Sequence, residues 1–360
     1  MDRRIAFITF VGTVISWYSF FSMGIFAASY LTVFHSFLAS GLFYFSGFGG
    51  RPIGALLLGR LGDRWGRRIA LVGVFVLLFL GDLLVALNTP AMILSPILIG
   101  LGLGGEWGSA SVMMAENVTR MRGGWTSLIQ LSVPIGLILS LGVVVTQRLL
   151  LIPSFISLLM VPLILSVPEP RRANLGSGMM GLKPLLKGIM VKAGESSNFY
   201  VFTSFSIPFL LEAGLRTGIA PILIMSVEET FLMIPMGIAS DIMGRREVIR
   251  LGMLIMLVSS ILLSLSAFTR NPDLTLTSFL LFGLGDSLSY APQGAYLAEL
   301  YHEKERVTMT GLAYQLSATI AGGISVLVTS LSLSVLGIGG SLFTVPVLSA
   351  VYVLISILAV

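Results

Sequence analysis

The chain has 360 residues, of which 55% are hydrophobic and only 11% are charged, and its net charge is +5. Soluble domains have roughly a quarter charged residues, so this composition excludes a water-soluble surface. The chain contains no cysteine, which excludes disulfides and thiolate sites, and only His35 and His302 remain as imidazole ligands. We therefore expect no metal centre and no cofactor.

Apolar runs along the chain predict twelve membrane-spanning helices. The first six lie near residues 6–31, 37–60, 69–88, 91–115, 124–146 and 149–166. The second six lie near residues 185–210, 217–240, 248–268, 274–298, 309–332 and 338–360. Each run is long enough, because a spanning helix needs about 20 mostly apolar residues. The sequence thus predicts an all-α integral membrane protein with two pseudo-symmetric six-helix bundles, 1–166 and 185–360, joined by a linker at 167–184.

The positions of lysine and arginine indicate the orientation in the membrane. If the N-terminus is cytoplasmic, three cations lie on the outer side, namely Arg148, Arg216 and Arg270, and Arg51 lies within a span. The other eighteen lie on the inner side: Arg3, Arg4, Arg60, Arg64, Arg67, Arg68, Arg120, Arg122, Arg171, Arg172, Lys183, Lys187, Lys192, Arg245, Arg246, Arg250, Lys304 and Arg306. The positive-inside rule then predicts that both termini and the linker are cytoplasmic. Because topology accounts for the cations, we expect a lipid bilayer and no nucleic acid as partner, and a monomer.

An internal repeat supports two related halves. The pattern G-x-x-x-D-x-x-G-R-R occurs at residues 59–68 and again at 237–246, an offset of 178. Residues 16–21 align with 195–200, Glu116 with Glu299, and the triplet at 130–132 with that at 315–317, at offsets of 179, 183 and 185. Ordered matches at nearly equal offsets indicate duplicated bundles, as in many transporters.

The repeated string resembles the loop signature of the major facilitator superfamily. The strings at 51–55, 104–108 and 296–300, followed by Arg306, are similar to those of its metabolite:proton symporter family, and the resemblance covers both halves. It implies a transporter of organic acids or zwitterions that works by alternating access with proton symport, and not an enzyme. It also implies that the loops form a latch, with the residues Gly59, Asp63, Arg64, Gly66, Arg67, Arg68, Glu116, Gly237, Asp241, Gly244, Arg245, Arg246, Glu299 and Arg306.

The loop chemistry supports the latch independently. A tight turn after the second span needs Gly66, because glycine adopts backbone conformations that other residues avoid. Asp63 is expected to meet the positive N-terminal end of a neighbouring helix or a loop arginine. The sequence departs from the family at Ser16 and Ser19, where members have acidic residues, and at Pro96 and Ile99 in place of Arg and Gln. Span one therefore has no group to carry a proton.

Buried charges mark the candidate substrate site. Each charge at the bilayer centre costs about 2.5 to 3.5 kcal/mol, so it needs a partner or a cavity. Arg51 and Glu106 share a depth, which leaves two hypotheses: an ion pair between spans two and four, or recognition of a substrate carboxylate by Arg51. We expect Arg51 and Glu106 to bind substrate together with aromatic and amide side chains, namely Tyr18, Tyr200, Tyr290, Tyr314 and Gln315.

Three carboxylates are candidates for proton coupling. Glu229 follows Arg51 by 178 residues, so it should face the same central cleft from the other half. Glu195 and Asp286 lie on helices that, by the resemblance, line the cavity. Proton-coupled efflux and uncoupled facilitated transport remain alternatives. An intramembrane enzyme is a distant one, because Glu228–Glu229 begins an E-E-x-x-x-R motif in which Met233 replaces the arginine.

Overall fold

The computed structural model describes residues 3–29, 37–144, 146–169 and 181–360, which form helices joined by short connections. His35 and residues 170–180 of the predicted linker, with Arg171 and Arg172, lie outside the described residues, as do residues 30 and 31 of the first predicted span. The helices are α1 (Arg3–Ser29), α2 (Phe37–Trp65), α3 (Arg67–Ala86), α4 (Ser95–Glu116), α5 (Arg122–Ser140), α6 (Leu151–Ser166), α7 (Leu182–Tyr200), α8 (Ser206–Glu212), α9 (Ala220–Met243), α10 (Arg245–Thr269), α11 (Pro272–Tyr290), α12 (Gln293–Leu300), α13 (Arg306–Ser317) and α14 (Gly323–Ala359).

Interrupted helices account for the difference between these elements and the twelve predicted spans. A π-helical turn, Val201–Phe205, joins α7 to α8, and a second one, Ala318–Gly322, joins α13 to α14. The tenth span breaks between α11 and α12 at Ala291–Pro292, where the sequence predicts an irregularity. Gly337, with φ of 64°, divides α14 into the end of the eleventh span and the twelfth span. With these three joins and the one division at Gly337, the twelve predicted spans are confirmed within the part of the chain that the structure describes.

Hydropathy alone finds fewer spans than the fold contains. Among the described residues, eight helical stretches are long and apolar enough to cross a membrane, and one of them, Arg306–Ala359, holds two spans. The helices α2, α7 and α11 are absent from that set. They carry charged side chains together with many glycines or serines, such as Arg51 in α2 and Lys192 in α7. These three helices therefore carry polar and charged side chains that the hydropathy of a typical spanning helix would not include.

The two halves meet through a small set of helices. From the first half, α2, α4 and α5 pack against α9, α12 and α13 of the second half. Glycines lie at the crossings: a Cβ atom on Gly108 would be 2.8 Å from Gly311 Cα, and one on Gly237 would be 2.6 Å from Gly123 O. Small residues allow membrane helices to approach this closely. The halves are thus in direct backbone contact near one end, which we call the charged end and define by the turns at Gly66 and Gly244.

One assignment of the charge count is wrong. Lys192, counted there among the inner-side cations, lies in the middle of α7 and is 1% exposed. The predicted span begins at residue 185, but charged residues interrupt its apolar sequence. The sequence therefore does not show where the membrane-embedded part of the span begins. The inner-side count therefore falls to seventeen, and Lys192 joins the buried charges that need a partner.

Candidate functional site

At the charged end, a carboxylate of the first half binds the start of a helix of the second half. Gly66 has φ of 116° and makes the turn between α2 and α3. One turn before the end of α2, Asp63 accepts hydrogen bonds from the backbone amides of Val307 and Thr308 at 3.2 and 2.9 Å, and from the Thr308 hydroxyl at 2.5 Å. The first amides of a helix have no partner within it and carry partial positive charge. Asp63 thus meets a helix N-terminus, as the sequence predicts.

The second half makes the mirror-image contact. The turn at Gly244, with φ of 97°, follows α9. Asp241 accepts hydrogen bonds from the backbone amides of Gly123 and Gly124, each at 2.9 Å, at the start of α5. In both contacts the donors are the second and third residues of the helix that is capped. Each half therefore caps a helix of the other half with the aspartate of its repeated loop.

Two arginine–glutamate clusters lie beside these caps. Glu116 forms ion pairs with Arg67 of its own half and Arg306 of the other half, both at 3.1 Å. Glu299 is 2.8 Å from Arg245 of its own half and 3.9 Å from Arg122 of the other half. Arg245 also pairs with Asp241 at 2.9 Å. The ionic contacts repeat the pseudo-two-fold arrangement of the caps.

The remaining residues of the loop motifs have different surroundings. Gly59 allows α2 to lie against α13, because a Cβ atom there would be 2.8 Å from Thr308 Cα. Arg68 donates to the Val167 carbonyl at 2.7 Å, whereas Arg64 and Arg246 are exposed. Gly237 makes the equivalent close approach to α5 described above.

Glu169 makes a contact that the sequence did not predict. Its carboxylate accepts hydrogen bonds from the backbone amides of Arg67 and Arg68 at 2.6 and 3.1 Å, which caps α3. The segment after α6 is thereby fixed to the first repeated loop. The only sequence signal was an acidic residue between Pro168 and Pro170, close to the arginine-rich loop in the predicted topology.

A small cavity of about 10 Å³ lies between the halves. Its walls come from α1, α5, α7, α11 and α13 and from the π-helical turn after α13, and they are largely aromatic with one ion pair. The lining residues are Trp17, Val133, Lys192, Glu195, Ser196, Phe199, Tyr200, Tyr290, Tyr314 and Ala318. One water molecule needs about 10–15 Å³, so these side chains close the cavity almost completely in this structure.

Arg51 ties the two halves together behind the cavity wall. It is fully buried, and its guanidinium donates to the Tyr200 hydroxyl and the Gln315 side-chain oxygen, both at 2.7 Å. Both acceptors belong to the second half. The guanidinium also lies 4.9 to 5.5 Å from the ring centres of Trp17, Phe20 and Phe48, which favours a buried cation.

The ion pair considered between Arg51 and Glu106 is not formed in this structure. Glu106 instead accepts a hydrogen bond from the Thr13 hydroxyl at 2.5 Å and so joins α4 to α1. Residues at equal depth on adjacent helices meet only if both side chains point to the same gap, and here they point to different helices. Glu106 is also not among the residues that line the cavity.

Tyr18 is likewise not part of the cavity wall. Its hydroxyl donates to the Leu149 carbonyl at 3.3 Å, and the neighbouring Trp17 lines the cavity in its place. Successive helical residues point about 100° apart, so a small error in helix rotation exchanges them. Tyr290 and Tyr314 do line the cavity, where their hydroxyls are 2.8 Å apart, and the Tyr314 ring stacks on Trp107 at 3.9 Å.

Lys192 and Glu195 form a buried ion pair on the cavity wall. They lie three residues apart on α7, so that their side chains meet on one face. Lys192 Nζ also donates to the Gln293 side-chain oxygen at 3.4 Å and lies 4.5 and 4.1 Å from the ring centres of Tyr290 and Tyr314. Sequence reasoning missed Lys192 as a site residue, although the i,i+3 spacing to Glu195 was a usable signal.

Two further carboxylates lie near this pair. Asp286 on α11 and Glu229 on α9 are each 1% exposed and lie close enough to Glu195 for their charges to interact. Neither forms an ion pair with any residue that the structure describes. The structure thus brings the three predicted coupling residues together and adds Lys192 as their nearest cation.

Comparisons with known proteins agree on the family. The sequence matches the family described as Major Facilitator Superfamily over residues 9–326 and 218–360. It is 27% identical to the inner membrane metabolite transport protein YhjE of Escherichia coli K12, covering 90% of this chain and 86% of that protein. It is 25% identical to a citrate-proton symporter of Salmonella typhi, covering 87% and 83%. The proton:xylose symporter XylE has the same fold, with a TM-score of 0.77 at 17% identity over 98% of this chain and 94% of that one.

The two aspartate caps should stabilise the closed charged end equally. Ala298 is a suitable reporter because it is buried in a small cluster with Val112, Ala115 and Val307 from both halves. In an Ala298→Cys background, Asp63→Asn or Asp241→Asn should raise the rate of labelling by a membrane-permeant maleimide about fivefold. Loss of the carboxylate charge at a partly buried helix N-terminus costs about 1 kcal/mol, which corresponds to that factor.

Asp273→Asn is the matched control for this measurement. Asp273 lies in the first turn of α11, outside the charged end, and is exposed. Its substitution should leave the labelling rate unchanged. Equal labelling rates in all three variants would show that the caps do not hold the halves together.

Proposed function

This chain belongs to the Major Facilitator Superfamily, and on that premise we propose that it moves a small organic acid or zwitterion together with protons across the cytoplasmic membrane. It is a membrane transporter and not an enzyme. The proposal rests on the buried ion pair of Lys192 and Glu195, which lies beside three tyrosines between the halves and would become accessible to a substrate when the halves separate. A carboxylate-bearing molecule is the natural partner of a buried ammonium group.

We assign the substrate-binding roles by position around this cavity. Tyr200, Tyr290 and Tyr314 form its wall. Arg51 and Gln315 lie behind Tyr200. The Arg51 guanidinium donates hydrogen bonds to the Tyr200 hydroxyl and to the Gln315 side-chain oxygen, and so fixes the position of Tyr200. The relative that is named a citrate-proton symporter supports an organic acid as the substrate. The cavity lies within one chain, which supports a monomer as the working unit.

Proton coupling is assigned to the second half. Span one has serines at positions 16 and 19: the Ser16 hydroxyl donates to the Gly12 carbonyl, and the Ser19 hydroxyl lies 2.9 Å from the Ile15 carbonyl and 2.6 Å from the carboxylate of Asp82 on α3. Glu195, Glu229 and Asp286 are buried carboxylates close enough for their charges to interact, and Glu195 lines the cavity. A proton bound by this cluster would therefore offset a charge that enters with the substrate.

Alternating access would use the contacts at the charged end. The bundles 1–166 and 185–360 would rock about the linker 167–184. In this arrangement the caps at Asp63 and Asp241 and the two arginine–glutamate clusters keep the charged end closed. Because each half supplies one cap and one cluster to the same interface, the contacts would break and form together. Substrate would then leave on this side only after both caps have opened.

Uptake into proteoliposomes tests the proposed function. With an acidic outside, the purified protein should accumulate labelled succinate, citrate or glycine betaine above the external concentration, and a protonophore should abolish the accumulation. Labelled xylose, which has no charge, is the control and should not accumulate. A variant with Glu195→Gln, Glu229→Gln and Asp286→Asn should exchange the substrate across the membrane without accumulating it. A wild type that only equilibrates its substrate would be an uncoupled facilitator.

We also propose that the charged end faces the cytoplasm, with both termini on that side. Two single cysteines in this cysteine-free chain test it, because Thr269 and Glu303 are both exposed and lie at opposite ends. An impermeant maleimide added to intact cells should label Thr269→Cys and leave Glu303→Cys unlabelled until the membrane is permeabilised. The reverse pattern would invert the topology.

A further inference from the structure

Resting on the proposed function, we propose that the substrate's carboxylate and the Glu195 carboxylate compete for the Lys192 ammonium group. The carboxylate that enters the cavity takes the place of Glu195, and the displaced Glu195 takes up one proton. Binding of one carboxylate group is thereby linked to binding of one proton.

The competition follows from the surroundings of Lys192. Its Nζ atom has three donors. Glu195 is its ion-pair partner among the described residues, Gln293 accepts a longer hydrogen bond at 3.4 Å, and the rings of Tyr290 and Tyr314 cover other sides. Lys192 and Glu195 both line the cavity. A substrate carboxylate that enters between the halves when they separate would therefore reach the ammonium group where Glu195 already binds it.

Once displaced, Glu195 has no second cation to replace Lys192 among the described residues that surround it. The neighbouring Asp286 of α11 and Glu229 of α9 are acids, so neither can replace a cation. Arg51 of α2 already donates hydrogen bonds to Tyr200 and Gln315.

The other groups that face this part of α7 carry no charge. They are Ser196 and Tyr200 on α7 itself, Tyr290 on α11, Gln293 on α12, Tyr314 on α13, Met253 on α10, and Ser349 and Ser356 on α14. A buried carboxylate without a cation is strongly unfavourable, so the acid form results.

The net charge of the site does not change in this exchange. Before binding, the ammonium of Lys192 is balanced by the carboxylate of Glu195. After binding, the same ammonium is balanced by the substrate's carboxylate, and Glu195 is a neutral acid that can donate a hydrogen bond. No bond other than the O–H bond of the acid is formed. Release of the substrate restores the original pair and frees the proton on the same side of the membrane.

Glu229 provides a matched comparison. It is as buried as Glu195 and lies in the same cluster, yet it does not line the cavity, and no ion pair of the described residues includes it. Displacement by substrate therefore acts on Glu195 and not on Glu229. Glu195→Gln should remove the linked proton. Glu228, the half-buried neighbour of Glu229 on α9, has no assigned role and does not line the cavity, so Glu228→Gln is the control and should leave the linked proton in place.

The test measures proton uptake and substrate binding on the purified full chain in detergent. Labelled succinate and citrate are the probes, bound above pH 7 in weakly buffered solution that contains a pH-indicator dye. The wild type should take up one proton per bound molecule, and its apparent Kd should rise about tenfold per pH unit, as linkage of one proton requires. Glu195→Gln should bind without proton uptake and with a flat pH dependence, while the control variant Glu228→Gln should behave as the wild type does.

Wild-type infrared spectroscopy keeps the test decisive if Glu195→Gln folds poorly. The difference spectrum on addition of succinate should gain a carboxylic acid band and lose a carboxylate band of the protein. Absence of that gain, or proton uptake that is lost in Glu229→Gln but kept in Glu195→Gln, would overturn the competition while acid transport stands. A wild type that binds neither probe would instead contradict the proposed function.

Discussion

A charge inside a lipid bilayer must have a partner or be neutralised, and the arrangement of this protein follows from that constraint. The buried cations are held by groups that bridge helices or halves: Arg51 by Tyr200 and Gln315, and Lys192 by Glu195 and Gln293. Asp63 and Asp241 cap helices at the charged end, Glu195 pairs with Lys192, and the buried Glu106 accepts a hydrogen bond from Thr13 of another helix. Each charged group therefore marks a place where helices, and in several cases the two halves, depend on one another.

The duplicated sequence explains why the contacts between the halves come in pairs. Asp63 caps α13 and Asp241 caps α5, so each half supplies one acceptor and one helix N-terminus. Glycines at the crossings make this possible, because the backbones must be close before a carboxylate reaches the amides. Two equivalent contacts that share one interface are expected to open together, so the proposed alternating access would use the charged end as a single switch.

The sequence predicted the spans, the repeat and the helix-capping role of Asp63, because these depend on local composition and on residue order. It did not predict which side chains meet in the interior. Helix rotation decides whether Trp17 or Tyr18 reaches the cavity, and whether Glu106 faces Arg51 or Thr13, and nothing local fixes that rotation. Lys192 was missed because an apolar-run reading places a lysine at the edge of a span, whereas its partner Glu195 allows it to lie within the span.

The central claim is that Lys192 is the group that receives the substrate's carboxylate, while Arg51 holds the halves together behind Tyr200. A cryo-electron microscopy structure of the protein with bound succinate tests this most directly. The account predicts a succinate carboxylate within hydrogen-bond distance of Lys192 Nζ, with the Glu195 side chain turned away and the contacts of Arg51 to Tyr200 and Gln315 kept. A succinate carboxylate on Arg51, beside an intact pair of Lys192 and Glu195, would contradict it.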